Sequence, residues 1–313
     1  MRFLTAKFDT RMNVKKEKIG REKILVSFSA GETSAYMCHL LKENYSDKYE
    51  FIFVFANVGE EHEETLIFAD KCDKYFGLNL VWVEPKIIHQ VGKGTKHTIV
   101  DFKSAERSGI GGNFEEYIKK FGIPNYQNMT CTRELKERPI TSFARSIGWK
   151  HKDYKTAIGI RADEIDRISK NREKLNLFYP LIELKRTTKK DVNAFWDAMP
   201  FRLEITGWEG NCKTCWKKSF RKLATCSIHH PEWFNFNNIM VEKYQNHVPT
   251  RDRNKLILPI RFFRGNKTVE EIFEIAKQPN FKEADDENRQ YDYHTQTQLD
   301  LEYDCGISCE PFK

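Results

Sequence analysis

The sequence predicts an α/β fold in which a parallel sheet carries helices on both faces. Short apolar runs typical of strands alternate with longer stretches typical of helices through about the first 160 residues. This alternation is the βαβ pattern of a parallel sheet. A chain of 313 residues can bury one large α/β core with a smaller unit appended, or two modest domains.

The predicted elements come in the order strand, helix, strand, helix, strand, and a further strand follows later. They cover residues 24–28, 33–42, 51–56, 63–76, 80–83 and 156–160. Ligands of such sheets bind beyond the carboxyl ends of the strands. We therefore expect the residues that directly follow Phe28, Ala56 and Ile160 to converge.

A turn rich in serine and glycine connects the first predicted strand to the first predicted helix. Its residues 27–34 read Ser-Phe-Ser-Ala-Gly-Glu-Thr-Ser. Small side chains let backbone N–H groups approach an anion, and the helix N-terminus adds partial positive charge. The Walker-type spacing is absent, because no lysine follows the glycine. The turn predicts a site for an anionic nucleotide, although an ordinary tight connection has the same composition.

Composition narrows the class of protein. Hydrophobic residues make up 40% and charged residues 31% of the chain, as in globular proteins. No apolar run approaches the roughly 20 residues that span a bilayer, and residues 1–7 lack the apolar core of a signal peptide. We therefore predict a cytoplasmic protein with no membrane partner. In that compartment, eight cysteines favour metal, cluster or redox chemistry over disulfides.

The net charge of the chain is +7 at pH 7. A positive surface attracts phosphate-bearing ligands, nucleic acid included. The basic residues are dispersed along the chain, so they also fit ordinary solvated faces.

Two motifs are candidates for binding phosphate. Residues 131–139 read Cys-Thr-Arg-Glu-Leu-Lys-Glu-Arg-Pro and place Arg133 and Lys136 about one helical turn apart. Arg161 follows the strand at 156–160, and the acids after it, Asp163 and Glu164, could hold Mg²⁺. Arginine stays charged and can bind phosphate with two hydrogen bonds. Alternatively, the residues at 131–139 form ion pairs along a surface helix, and Asp163 or Glu164 is the N-cap of the next helix.

The cysteines supply a candidate metal site. Cys212 and Cys215 form a C-x-x-C pair, which brings two sulfurs within reach of one tetrahedral ion or one cluster. Eighty residues intervene between Cys131 and this pair, and Cys226 is the nearest candidate for a fourth ligand. A cysteine from the tail, or three cysteines around an open iron, are further options. Zinc is the rival metal, with a finger-like ligand set of Cys212, Cys215, Cys226, His229 and His230.

We predict three parts of the chain: a nucleotide-binding α/β domain over 1–178, a helical cysteine-containing region over 179–276, and a polar tail over 277–313. The strand and helix alternation gives way near residue 179 to short segments rich in Trp, Lys and Cys. The tail is polar and ends with a pair of cysteines, which fits an extended arm better than a packed domain.

These motifs resemble those of the phosphoadenosine phosphosulfate (PAPS) reductase family and of PP-loop ATP pyrophosphatases, which share the adenine-nucleotide alpha-hydrolase fold. The turn is similar to their S-G-G-x-D-S loop: Ser29, Gly31 and Ser34 match, whereas Ala30 and Thr33 depart from it. Residues 55–62, the C-T-R-x-x-K-x-x-P pattern and the G-I-R-x-D-E pattern also resemble family motifs. The matches span roughly residues 22–235 and are similar to stand-alone phage and bacterial members.

The resemblance implies an enzyme that binds ATP or PAPS and uses a [4Fe–4S] cluster. The implied nucleotide-binding residues are Ser27, Ser29, Ala30, Gly31, Glu32, Thr33, Ser34, Asn57, Arg133, Lys136 and Arg161, and the last three would act on the phosphates. The implied cluster ligands are Cys131, Cys212, Cys215 and Cys226. We expect ATP cleavage between the α and β phosphates, adenylation of an acceptor such as a nucleic acid, and sulfur transfer to it. The expected partners are a thiol or cysteine-desulfurase-type sulfur donor and a second copy of the chain in a homodimer.

Two alternatives remain open. Residues 303–309 faintly resemble the C-terminal E-C-G-[LI]-H motif of sulfonucleotide reductases. There Cys305 would attack the sulfur of PAPS or adenylylsulfate, and a thiol carrier would resolve the intermediate with release of sulfite. The departures at Ala30 and Thr33 instead fit a nucleotide- or nucleic-acid-binding module that has lost catalysis.

Overall fold

The computed structural model describes residues 20–90, 92–249, 257–286 and 311–312. The strands of this part are β1 (Glu22–Phe28), β2 (Tyr49–Ala56), β3 (Val81–Lys86), β4 (Lys96–Val100), β5 (Tyr154–Ala157) and β6 (Leu177–Phe178). They form a sheet in the order β4-β3-β2-β1-β5-β6. Neighbouring strands pair in parallel except β3 with β4, which are antiparallel. The predicted α/β fold is confirmed.

Nine α-helices are found in the described residues. They are α1 (Glu32–Tyr45), α2 (Glu63–Phe76), α3 (Asn113–Phe121), α4 (Arg138–Ser146), α5 (Pro180–Glu183), α6 (Lys189–Asp197), α7 (Phe220–His229), α8 (Asn235–Tyr244) and α9 (Val269–Ala276). A π-helix at Thr132–Glu137 leads directly into α4, and a 3₁₀ turn at Ala162–Arg167 follows β5. None of the described helices is long and apolar enough to cross a membrane.

β1 lies inside the sheet and is buried from both sides. Ile24, Leu25 and Val26 have no solvent exposure. Ile24 and Val26 pack in the apolar cluster that includes side chains of α1 and α2, whereas Leu25 packs in the cluster that includes α4. A strand with helices on both faces needs a continuous apolar run. The run at 24–28 therefore forms a strand where the sequence predicts one.

A second apolar core lies among α3, α7, α8 and α9. It contains Tyr117 of α3, Leu223 of α7 and Ile272 of α9. By contrast, α6 packs on α1, and its Trp196 lies in the core of the sheet. Elements on both sides of residue 178 thus share each core, and the division at this residue stays a prediction.

The first part of the polar tail contacts α7. The backbone N–H of Ala284 donates to Thr225 Oγ1 over 2.8 Å. Arg221 Nη2 donates to the carbonyl oxygen of Glu283 over 2.6 Å. Residues 281–286 are therefore held along this helix.

Candidate functional site

The turn between β1 and α1 is a compact loop held by its two serines. Ser29 Oγ and Ser34 Oγ lie 2.9 Å apart, and Ser34 Oγ donates to the carbonyl oxygen of Gly31 over 2.9 Å. Ala30 has a φ of 59°, in the left-handed region that glycine adopts most readily. This is the position at which the resembling family loop has glycine. The loop therefore keeps that backbone conformation with a methyl side chain.

The end of β5 passes very close to the start of α1. A Cβ atom placed on Gly159 would lie 3.0 Å from Ser34 Cα, so a larger residue there would push the loop away. This close approach brings the segment after β5 beside the loop after β1. The residues after Phe28 and after Ile160 converge in this way, as the sheet topology predicts.

These two segments border a crevice of about 680 Å³, which we call the nucleotide crevice. Its lining includes Ser29, Gly31, Glu32, Thr33, Ser34, Gly159, Arg161, Glu164, Arg167, Lys189, Thr206 and Asn211. Backbone N–H groups at the N-terminus of α1 and three cationic side chains therefore border one space. Such a set suits the phosphates of a nucleotide.

Arg161 is held in the crevice by contacts on several sides. Its Nη1 donates to Thr33 Oγ1 over 3.0 Å, and its Nε donates to Asp163 Oδ1 over 3.0 Å. Glu164 Oε2 lies 3.3 Å from the same guanidinium, and Glu164 also pairs with Arg167. Both carboxylates are thus engaged with cations. They hold Arg161 in place, and their role as magnesium ligands stays a prediction.

Three of the sequence candidates are buried, and two of them have structural partners. Glu32 binds Arg202 through both carboxylate oxygens, over 3.0 and 3.1 Å. Asn57 is fully buried, and its Nδ2 donates to Glu84 Oε1 over 2.6 Å. Ser27 lies within β1 and is 1% exposed. Of these three residues, only Glu32 borders the nucleotide crevice.

A second cavity lies beside the π-helix, and we call it the cysteine cavity. Cys131, Cys212 and Cys215 all line it. Its other lining residues are Val58, Glu60, Phe114, Pro124, Thr132, Leu135, Lys136, Thr214, Trp216, Phe236, Asn237 and Phe262. Three thiols therefore face a mostly apolar space. The structure brings these three predicted ligands together from two distant segments of the chain.

Glu61 joins the parts of the cysteine cavity wall. Its Oε1 lies 3.2 Å from the Lys136 ammonium and 3.8 Å from Cys212 Sγ, which donates to it. Its Oε2 accepts from the backbone N–H of Val58 over 3.1 Å. Sequence reasoning did not single out Glu61, although the motif at 55–62 that contains it resembled a family motif.

The neighbouring carboxylate, Glu60, lies in an apolar environment. It is 7% exposed, and this burial raises its pKa to about 7. The backbone N–H of Gly109 donates to Glu60 Oε1 over 2.7 Å, and this bond together with Lys213 opposes the rise. Glu60 therefore changes its charge near neutral pH at the wall of the cysteine cavity.

The nucleotide crevice and the cysteine cavity share a wall. Asn211 Nδ2 donates to the carbonyl oxygen of Ser29 over 2.7 Å, which ties this segment to the loop after β1. The next residue is Cys212, which pairs with Glu61 in an isolated antiparallel bridge. The adjacent residues Asn211 and Cys212 thus separate the crevice from the thiols of the cavity.

The remaining predicted site residues lie elsewhere. Arg133 is half-exposed, and its Nε donates to Glu134 Oε1 over 2.9 Å, so it borders neither space. Cys226 is fully buried in the second apolar core, where burial raises its pKa to about 11. It does not line the cysteine cavity. Cys305 lies outside the described residues.

The two histidines of the rival zinc set have other partners. His229 Nε2 lies 2.5 Å from Glu283 Oε2, and the His230 ring stacks on Trp233 at 3.9 Å between centroids. Among the described residues, no group of three or more His, Cys, Asp or Glu side chains is placed to hold one metal ion.

The sheet order, the loop after β1 and the bordering cations define an α/β protein of the adenine-nucleotide alpha-hydrolase type. The chain belongs to the phosphoadenosine phosphosulfate reductase domain family, whose model matches residues 23–187, more than half of the sequence. It is also similar to the "Uncharacterized nin region protein ORF290" of Escherichia phage lambda. The two are 29% identical over 260 residues, which are 82% of this chain and 86% of the phage protein. The predicted family and its phage-like character are confirmed.

Proposed function

We propose that this protein cleaves ATP between the α and β phosphates to adenylate an acceptor, and that sulfur replaces the AMP at the cysteine cavity. Membership of the family supports a nucleotide-binding enzyme of sulfur chemistry. The observation that carries the finer proposal is the bond between Asn211 and Ser29. It places Cys212 next to the wall of the nucleotide crevice, so activation and sulfur delivery take place in adjacent spaces.

The first step needs stabilisation of the charge that develops on the phosphates. The acceptor oxygen attacks the α-phosphorus, a new O–P bond forms, and the bond to the bridging oxygen breaks with release of pyrophosphate. The Arg161 guanidinium and the N-terminal N–H groups of α1 interact with the phosphate oxygens. Because Asp163 and Thr33 fix the guanidinium beforehand, little reorganisation is needed.

The second step needs a sulfur nucleophile at the oxidation level of sulfide, supplied by the sulfur donor. The sulfur attacks the activated carbon of the acceptor, a C–S bond forms, and the C–O bond breaks with release of AMP. No net oxidation occurs. Lys136 contributes a positive charge at the cavity wall, where Glu61 positions its ammonium at 3.2 Å. The acceptor we favour is a nucleic acid, in keeping with the net charge of +7.

The three cysteines of the cavity are the residues that would hold a [4Fe–4S] cluster. Cys131, Cys212 and Cys215 border one mostly apolar space, and thiolates are the usual ligands of such clusters. A cluster bound there would supply an iron that can hold sulfur. A single zinc ion is less well supported, since no three ligands among the described residues meet around one point.

The products formed from ATP test this proposal. The protein, purified without oxygen, is incubated with ATP, a sulfide source and RNA or DNA oligonucleotides, and the nucleotide products are separated. We expect AMP and pyrophosphate, and far less of both from Arg161→Ala than from the exposed-site control Arg145→Ala. ADP and inorganic phosphate would contradict the proposal. Binding of ATP with no cleavage would favour the alternative of an inactive binding module.

A reductase acting through Cys305 is a second candidate. The observation that favours it is a contact of the C-terminal residues: the backbone N–H of Phe312 donates to Glu137 Oε1 over 2.9 Å. Phe312 is therefore next to the π-helix that follows Cys131. Under this candidate, Cys305→Ser abolishes sulfite formation from PAPS or adenylylsulfate. Under the first proposal, the same variant still cleaves ATP to AMP.

A further inference from the structure

The cysteine cavity carries two hydrogen-bond donors on buried side chains. Trp216 is 3% exposed, and its Nε1 has no hydrogen-bond partner within the described part of the chain. Asn237 is 1% exposed, and its Oδ1 accepts from Thr214 Oγ1 over 2.6 Å. Its amide group also borders the cavity. A buried donor without a partner is rare in folded proteins, which indicates that a ligand accepts from Trp216 Nε1.

The same cavity has aromatic walls. The rings of Phe114 and Phe236 lie 5.1 Å apart, and the ring of Phe262 lies 5.8 Å from that of Phe236. All three side chains line the cavity. Aromatic faces bind flat rings by stacking.

We propose that the cysteine cavity binds a nucleobase of the acceptor molecule. The phenylalanine faces hold the flat ring, and Trp216 Nε1 and Asn237 Nδ2 donate to ring nitrogens or carbonyl oxygens at its edge. Every natural base carries such acceptors. This inference rests on the proposed function, because it names the acceptor of the sulfur as a base. The base then lies against the wall that carries Cys131, Cys212 and Cys215.

The base belongs to a second molecule and not to the nucleotide of the crevice. The cavity and the crevice have no lining residue in common. The segment that binds Ser29 through Asn211 stands between them. A single nucleotide with its phosphates at Arg161 would have to cross this wall to place its base in the cavity. The two binding events are therefore expected to be independent.

Fluorescence anisotropy of labelled oligonucleotides tests the assignment. The probes are single-stranded DNA and RNA 12-mers and an abasic 12-mer of the same length. Trp216→Phe keeps the ring and removes the N–H, and Asn237→Asp keeps the acceptor for Thr214 and removes the amide donor. The matched controls are Trp233→Phe and Asn238→Asp, at positions that do not line the cavity.

We expect each cavity variant to bind the base-containing probes about tenfold more weakly, the equivalent of one hydrogen bond. The two controls bind as the wild type does, and the abasic probe binds weakly to every protein. Saturating ATP leaves probe binding unchanged. A preference between the DNA and RNA probes identifies which of the two is the source of the base.

Four results would overturn the assignment. ATP that competes with the probes would show that the ring is the nucleotide's own base. Equal binding of the abasic probe would show that only phosphate is recognised. Unaltered binding by both cavity variants would show that neither Trp216 nor Asn237 donates to the base. A loss of binding that follows a loss of iron in the variants would show that the donors serve the metal group. Cleavage of ATP is measured separately, so base binding without cleavage contradicts the proposed function alone.

Discussion

Arg161 Nη1 lies 3.0 Å from Thr33 Oγ1, which joins the segment after β5 to the loop after β1. Thr33 stands where the resembling family loop carries an aspartate. A carboxylate there would pair with Arg161 and draw its charge away from a phosphate. The hydroxyl accepts one hydrogen bond and adds no further negative charge to the two carboxylates that already pair with Arg161. The departure at Thr33 is therefore compatible with binding of an anion.

Replacement of Arg161 by alanine should weaken ATP binding roughly 10- to 100-fold, the equivalent of a charged hydrogen bond of about 1.5–3 kcal/mol. The variant also leaves Asp163 and Glu164 without their shared cation, so their charges oppose the phosphates. Isothermal titration calorimetry with ATP measures the effect. Arg145→Ala, at an exposed position of α4, is the control. An unchanged affinity in Arg161→Ala would place the phosphates elsewhere.

Replacement of Glu32 by glutamine should lower the free energy of unfolding by about 2 kcal/mol. Breaking a fully buried ion pair costs about 3–5 kcal/mol, but the Arg202 side chain is 23% exposed and keeps a bond to Asp197. Urea unfolding measures the difference. Glu43→Gln, an exposed position in the same helix, should change stability by less than about 0.5 kcal/mol. Because Glu32 has a structural partner, ATP affinity should fall little in the folded variant, and a large fall would instead assign Glu32 to the ligand.

The sequence predicts the centre of the sheet well and its edge poorly. The apolar run at 24–28 has one stable environment, a strand covered from both sides, and β1 occupies it. Residues 96–100 form β4, an antiparallel edge strand that sequence reasoning missed. Its side chains are exposed or half-buried, including Ile99 at 60% exposure, so no periodic apolar face marks it. Only its pairing with β3 makes it a strand.

The sequence also predicts only part of the candidate site. The spacing of Arg133 and Lys136 predicts neighbouring faces of an α-helix, but residues 132–137 form a π-helix with a wider turn. Lys136 borders the cysteine cavity, whereas Arg133 bonds to Glu134 near the surface. Whether these residues form an α-helix or a π-helix depends on tertiary packing, so residue spacing alone does not predict it. The pairing of Cys131 with the C-x-x-C segment, by contrast, followed from the family resemblance alone.

His62 should make the protein sensitive to acid. Burial lowers its pKa to about 3, and the charges of Lys218 and Lys213 add to the effect. In the unfolded chain a histidine takes up a proton near pH 6.5. Below that pH the unfolded state therefore binds a proton that the folded state does not. The stability contributed by neutral His62 is lost as the pH falls from about 6.5 towards 3, by about 3 kcal/mol at pH 4.

Urea unfolding at pH 7 and at pH 4 measures this loss. His62→Gln cannot take up the proton, so its stability should fall about 3 kcal/mol less than that of the wild type between the two pH values. His151→Gln, at an exposed position, should keep the full wild-type loss. Equal losses in wild type and His62→Gln would show that His62 is protonated in the folded state.

The cysteines of the cavity should differ from the cysteine of α7 in their effect on bound iron. Cys212→Ser replaces a thiol that lines the cavity, so the purified protein should lose iron and acid-labile sulfide together. Cys226→Ala replaces a thiol in the second apolar core, where the raised pKa disfavours the thiolate that a metal needs. It should retain both, as should Cys72→Ala in α2, a buried cysteine far from any proposed ligand role. Absorption spectra and metal analysis of protein prepared without oxygen decide the matter. Zinc alone in the wild type would contradict the proposed cluster. Loss of iron from Cys226→Ala would show that Cys226 is the fourth ligand.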